Sequence, residues 1–362
     1  MPPWLLRRLL IAPLMPILAV AALVLLPVVV VVQALTAAVA IVVRRRRVRW
    51  RLPRVWSFAV VYLFGETACL LTCFVLWIAS GFGRRMQSER QQRWHLAVLR
   101  RFLSGLVAVA GFVFRFRLVV EEPLTHPEDA TRMAAAKPIL VLARHAGPGA
   151  SFVLVHLLLT RYHRRPRIVL KEQLRLDPSF DVLLSRLGCS FIATGEGHRD
   201  DATRMIAQTA AGLEERDALL LYPEGGDWTP TRHRLAVAGL RRRGRRAEAA
   251  RAVRMPHVLP PKPAGTLAAL RAAPFADVVV FTHTGHDELL DIVSIWNALP
   301  LRARLRLVWW REAASTLPAD DDLRADWLLG VWTRVDAWID EQIDLEKLTL
   351  PNDTEPAATD RG

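Results

Sequence analysis

The chain has 362 residues, a formal net charge of +14, 52% hydrophobic residues and a positive mean hydropathy of +0.20. That length suits one large domain with extensions or two modest domains. Three cysteines exclude a disulfide framework, and no Cys/His spacing matches a zinc site.

Residues 9–43 are almost wholly apolar, with Gln33 and Thr36 the only clearly polar side chains. As one helix they would reach roughly 52 Å, beyond the ~30 Å hydrocarbon core of a bilayer. Pro13, Pro16 and Pro27 offer places to bend, so a hairpin near Pro27 and one tilted span with an extension are both open. The run is too long for a signal peptide, and no small-residue cleavage site precedes the next charges. Then come seven arginines in "RRRRVRWRLPR", 44–54, which the positive-inside rule places on the cytoplasmic side.

A second apolar run, 55–82, carries Glu66 near its middle, where a charge is costly in lipid. It is expected as a re-entrant or interfacial pair of helices. Arg84 and Arg85 follow, so both of its flanks are arginine-rich. The expected division is a membrane anchor over 1–85, a main domain over 86–318 in the cytoplasm against the membrane, a C-terminal helix over 319–350, and a disordered tail over 351–362.

Residues 86–104 read as an amphipathic basic helix whose Trp94, Leu96, Val98, Leu99, Phe102 and Leu103 dip into an interface. The alternating "FVFRFRLVV", 112–120, reads as a strand. Further strands are expected at 138–143, 167–170, 189–193, 218–223, 257–260, 277–283 and 304–309. Helices at 150–162, 178–187 and 200–214 fall between them. This alternation predicts an α/β fold with a mostly buried mixed sheet flanked by helices. In the final helix, 320–347, three aspartates suit the N-terminus, and Leu323, Trp327, Val331, Val335 and Ile339 line one face.

Two strand ends carry polar turns. "PILVLA" delivers Arg144 and His145 to a "GPG" turn, and a helix begins near Ala150 or Ser151. That is where α/β sheets place active sites, and the free N–H groups of the helix start suit an oxyanion or phosphate. "LLLYPEGGDWT", 219–229, presents Glu224 followed by Gly225 and Gly226, which allow close approach to the backbone.

Together these segments resemble the glycerophospholipid acyltransferase family, which includes the lysophosphatidate acyltransferases. The family's His-four-residues-Asp motif is occupied by "HAGPGA", and its Phe-Pro-Glu-Gly-Thr motif by "YPEGG". "KEQLRLDP" matches its Lys-x-x-Leu and Pro stretch, "GCSFIAT" part of a Gly-x-x-Phe-Ile-x-Arg motif, and "HVLPPKPAG" a late apolar-Pro motif. "PEGGDWT" followed by "HVLPPKPAGT" looks most like the lysocardiolipin-type branch.

The resemblance implies acyl transfer from a thioester, on coenzyme A or acyl carrier protein as co-substrate, to a hydroxyl of a lysophospholipid such as 1-acylglycerol-3-phosphate. No bound cofactor is implied. His145 would be the general base, Glu224, Gly225 and Gly226 would seat the acceptor, and Arg144, Ser151 and Lys171 would line the substrate site.

Two departures stand out. Ala150 occupies the place of the motif aspartate, and no neighbour in sequence is an obvious substitute; Thr194 occupies that of the second motif's arginine, for which Arg199 is a candidate stand-in. A catalytically weakened or inactive lipid-binding member of the same fold is therefore the alternative reading.

Between Arg232 and Arg254 nine arginines face one acid, Glu248. This is either a solvated basic helix or a dock for anionic lipid headgroups. The charge also admits nucleic acid, but the apolar anchor and the lack of any nucleic-acid motif argue against it. "HTGHDELLD", 283–291, fits a polar loop better than a metal site.

Overall fold

The computed structural model describes residues 3–44, 49–121, 133, 136–147, 149–193, 196–287, 289 and 292–349. Seven strands form one sheet: β1 (Leu118–Val120), β2 (Ile139–Ala143), β3 (Arg165–Lys171), β4 (Ser190–Ile192), β5 (Asp217–Leu221), β6 (Asp277–Thr284) and β7 (Leu305–Glu312). Their order is β1-β7-β6-β2-β5-β3-β4. Every pairing is parallel except β6 with β7. The expected mixed α/β sheet flanked by helices is thus what the chain forms. β2, β5 and β6 are buried along their whole length, so they read as unbroken apolar runs.

Alternate residues of β2 serve two cores. Ile139, Val141 and Ala143 join the first, with α2 (Arg51–Ala79), α3 (Glu89–Phe114) and α4 (Ala150–Thr160). Leu140 and Leu142 join the second, with α5 (Arg199–Ala211), α8 (Pro263–Ala272) and α10 (Asp321–Thr349). Between them in sequence lie α6 (Pro230–Arg242) and α7 (Arg246–Val253), which close on a small core of Val237, Leu240, Ala249 and Ala252. This arginine-rich pair leans on α10, through Arg251 to Asp326 at 2.9 Å. It therefore sits across the sheet from α2 and α3.

The structure corrects several sequence expectations. "HVLP" forms no strand: prolines at 256, 260 and 261 remove ladder donors, and the Leu259 N–H goes to a side chain instead. Only Leu118–Val120 of 112–120 is strand, because α3 runs on through the apolar residues up to Phe114 and ends at Arg115 in the left-handed region. On α10 the buried stripe is Leu328, Val331, Trp332, Val335, Trp338 and Ile339; Leu323 is exposed.

Among the described residues three helices are long and apolar enough to cross a membrane, by length and composition: α1 (Trp4–Val43), α2 and α3. The helix α1 continues through Pro16 and Pro27, so no hairpin forms at Pro27. Likewise the second apolar run is a single helix, α2, and not a pair. Its Glu66 is fully buried and turned toward the sheet domain, where it accepts the Ser179 N–H at 3.3 Å. The expected tail, 351–362, lies outside the described residues.

Candidate active site

The turn after β2 is fixed by close backbone packing. The Arg144 N–H donates to the Phe281 carbonyl at 3.1 Å, which continues the sheet for one residue. Gly147 has φ +72°, and a Cβ there would stand 2.9 Å from the His286 carbonyl oxygen, so only glycine fits. Gly149 precedes α4 with φ +82°. His145 is left at the mouth of the turn, its ring 4.5 Å, centroid to centroid, from that of Tyr222.

The turn after β5 meets it from the neighbouring strand. Glu224 is 1% exposed, and both of its oxygens are taken. One accepts the His145 N–H at 3.0 Å, the other the Leu259 N–H at 2.9 Å. The Trp228 N–H returns to the His145 carbonyl at 2.7 Å, and the Lys262 N–H to the Pro223 carbonyl at 2.8 Å. Glu224 thus ties three chain segments into one platform. Burial pushes its carboxyl up to about 7, against the pull of Arg144 and the two N–H groups.

Asp227, three residues further on, reaches His145. Its Oδ1 lies 2.6 Å from Nδ1 of the imidazole. Ala150 leaves the acid's place in the His145 turn vacant, and the next turn supplies an acid from a different direction. The hydrogen bond with His145 is the main reason its carboxyl is held below the usual aspartate range, opposed by burial and helped by the nearby charges of His145, Lys171 and Arg232. The contact fixes which ring nitrogen is occupied.

Arg144 points inward. It is 2% exposed, donates at 2.7 Å to each of the His283 and His257 carbonyls, and pairs with Asp287. Its guanidinium also lies 5.9 Å from the Trp228 ring. Burial pushes the Asp287 carboxyl up, but Arg144, His283 and the Thr284 hydroxyl together outweigh it and the net shift is downward. The "HTGHDELLD" loop is therefore an anchor for Arg144; its residues 288, 290 and 291 lie outside the described ones. Arg144 is a structural tie here, with its donors turned away from the site mouth.

The cations at the mouth are others. Lys171 is exposed at the end of β3. Arg232 donates to the Asp227 carbonyl at 3.0 Å and lies 3.8 Å from its carboxylate. Gly225, at φ +70°, would put a Cβ 2.8 Å from Nζ of Lys262, so that ammonium lies over the turn. A Cβ on Gly226 would stand 3.5 Å from the Arg232 guanidinium. Ser151, in the first turn of α4, stands beside Tyr222. Three cations therefore rim a turn of two glycines next to His145. Thr194 lies outside the described residues, and of Arg199 only its place at the start of α5 is described.

Sequence reading missed Asp227, Arg232, Lys262 and Asp287. For Asp227 a signal existed: it lies three residues after Glu224 on a turn already singled out. The other three depend on how distant loops fold back.

The family model described as Acyltransferase matches residues 124–260. This segment contains both turns, with His145, Glu224 and Asp227, and over it the chain is similar to the acyltransferases. No curated protein and no solved structure matches the chain.

Proposed function

We propose that the protein moves a fatty acyl chain from a thioester, on coenzyme A or acyl carrier protein, to the free hydroxyl of a lysophospholipid. One observation carries this reading beyond acyl transfer in general: the 2.6 Å contact between Nδ1 of His145 and Asp227. Oriented and charge-stabilised in this way, Nε2 takes the proton of the acceptor hydroxyl as the oxygen attacks the thioester carbonyl. The tetrahedral oxyanion lies within reach of the free N–H groups at the start of α4. Collapse breaks the C–S bond, and the imidazolium returns its proton to the leaving thiolate.

The rim of Lys171, Arg232 and Lys262 suits the phosphate of an acceptor such as 1-acylglycerol-3-phosphate. The role of Glu224 in this reading is to hold the base's own backbone. The reading places the enzyme in phospholipid biosynthesis, close to the lysocardiolipin-type branch, with its catalytic domain on the cytoplasmic side of the membrane. The apolar helices keep the site near its lipid substrate. An inactive lipid-binding protein is the less favoured alternative, because Asp227 makes good the acid that Ala150 lacks.

The test is transfer from radiolabelled acyl-CoA to a panel of lysophospholipids, with the purified protein in anionic liposomes. Wild type is expected to label the acceptor, and His145→Ala to lose at least about 10³-fold in rate. A silent wild type across acyl-CoA and acyl carrier protein donors would overturn the proposal.

A further inference from the structure

Apart from Arg232, the arginines of α6 and α7 take no part at the site mouth, and their placement gives them another use. The helix α6 leaves directly from the site. Thr229, two residues after Asp227, caps it by accepting the Arg232 N–H at 3.1 Å. The helix runs outward to Arg242, and Gly244, at φ +74°, turns the chain back. The return helix α7 lies against α6, where the His233 ring meets the Ala252 carbonyl at 3.0 Å. Just beyond α7 the chain is back at the mouth, and the Trp228 indole donates to the Pro256 carbonyl at 3.0 Å. The pair is thus a helical hairpin. Its base is the edge of the active site, and its tip carries Arg241, Arg242, Arg243 and Arg246. From Arg232 to Arg242 is roughly 15 Å of helix.

The charge of this hairpin is not spent inside the fold. Arg245 pairs with Glu248 and Arg251 with Asp326. Among the described residues, Arg234, Arg241, Arg242, Arg243, Arg246 and Arg254 are exposed and have no acid partner. The C-terminus of α6 favours cations, which accounts for Arg241 and Arg242. Nothing local accounts for the rest. Guanidinium groups this close repel one another, and an acidic surface laid on them relieves that repulsion.

The outward face of α6 also holds an apolar centre. Leu235, at 60% exposure, and Ala238 lie between Arg234 and Arg241 at helical spacing. An exposed leucine ringed by guanidinium groups has the make-up of a protein contact, an apolar anchor inside a charged rim. Placement favours a protein over a lipid surface as well. The hairpin leans on α10, across the sheet from α2 and α3, whose exposed apolar side chains are the ones suited to a bilayer.

We propose that the α6–α7 hairpin docks a small acidic protein that carries the acyl chain as a thioester. The donor is then acyl carrier protein in preference to free acyl-CoA, an inference that rests on the acyl-transfer reading. The thioester of such a carrier stands at the end of a long prosthetic arm. With the carrier's acidic face on the tip of the hairpin, the arm runs along α6 to the mouth, and the thioester arrives beside His145. Coenzyme A ends the same arm in a nucleotide, which covers far less of the hairpin.

The test uses the full-length protein in liposomes, with Arg241→Glu, Arg242→Glu, Arg243→Glu and Arg246→Glu combined. A second variant with Gln at the same positions removes the charge without reversing it. Palmitoyl-acyl carrier protein and palmitoyl-CoA are compared as donors. With the Glu variant, KM for the carrier-bound donor should rise about tenfold or more at little-changed kcat, while KM for palmitoyl-CoA moves less than about threefold. The Gln variant should fall between it and wild type. Binding of fluorescently labelled acyl carrier protein, followed by anisotropy, should weaken in the same order and weaken with salt in the wild type. A carrier whose surface acids are changed to Lys should bind the Glu variant better than it binds wild type, a rescue that a merely structural role does not give.

Equal shifts for both donors would assign the hairpin to a phosphate that the donors share. Loss of liposome association with KM unchanged would assign it to lipid. Either result overturns the inference, as does a wild type that does not bind the carrier. Binding is read without turnover, so a protein that binds the carrier but transfers nothing would overturn the proposed activity and leave the docking surface standing.

Discussion

The turn after β2 and the turn after β5 sit side by side on adjacent parallel strands, and they divide one task. The first delivers the imidazole, with a helix start behind it, but carries alanine where an acid would be useful. The second delivers two carboxylates with opposite assignments. Glu224 is buried and bound to backbone, so it builds the platform; Asp227 is half-exposed and bound to the imidazole, so it holds the ring. The difference shows that a motif position and a chemical role are separable. The acceptor at Nδ1 of His145 comes from the second turn, not from the position five residues on in the first.

The largest expected effect of breaking this division is at Asp227. Asp227→Asn keeps the shape and removes the charge, and should lower kcat by on the order of 10²–10⁴ with KM little changed. Steady-state acyl transfer in liposomes measures it. A loss under threefold would show that the contact is incidental.

Glu224→Gln probes the platform. An amide can accept only one of the two N–H groups and sets its own NH₂ against the other. The unmet donor costs about 1–3 kcal/mol. Activity should fall about tenfold or more, with a lower Tm, whereas Asp227→Asn should leave Tm nearly unchanged.

Restoring the missing acid sharpens the comparison further. In the wild-type background Ala150→Asp should change kcat by less than roughly threefold, since Nδ1 is already occupied. In the Asp227→Asn background the same change should recover about tenfold or more of the lost rate.

The smallest effect is a pH dependence of stability. The Glu224 carboxyl is raised to about 7, so between pH 4.5 and 7 the folded protein holds a proton that the unfolded chain has released. Stability should therefore fall as pH rises through that window. Tm measured in detergent from pH 5 to 8 should show the slope, flattened in Glu224→Gln.

The two turns also show how far sequence reading extends. The strands of both, their polar ends and the place of His145 were legible because buried parallel strands leave unbroken apolar runs and glycines mark the turns. Glu224 was legible as a site residue, but its hold on backbone was not, since its partners lie 79 and 35 residues away. Arg144 looked like a phosphate ligand until its partners at 257, 283 and 287 appeared.

The sequence by itself determined the α/β class, the first two long apolar segments, the place of His145 at a strand end and the absence of an acid five residues beyond it. These follow from local pattern, because periodicity, turn residues and spacing are properties of neighbours along the chain. Tertiary structure alone decided which acid serves His145, which cations reach the mouth, and which way Glu66 turns. Those depend on the register of β2 against β5, and on the packing of α2 along the sheet domain. Both are set by the whole buried core, and no single segment encodes them.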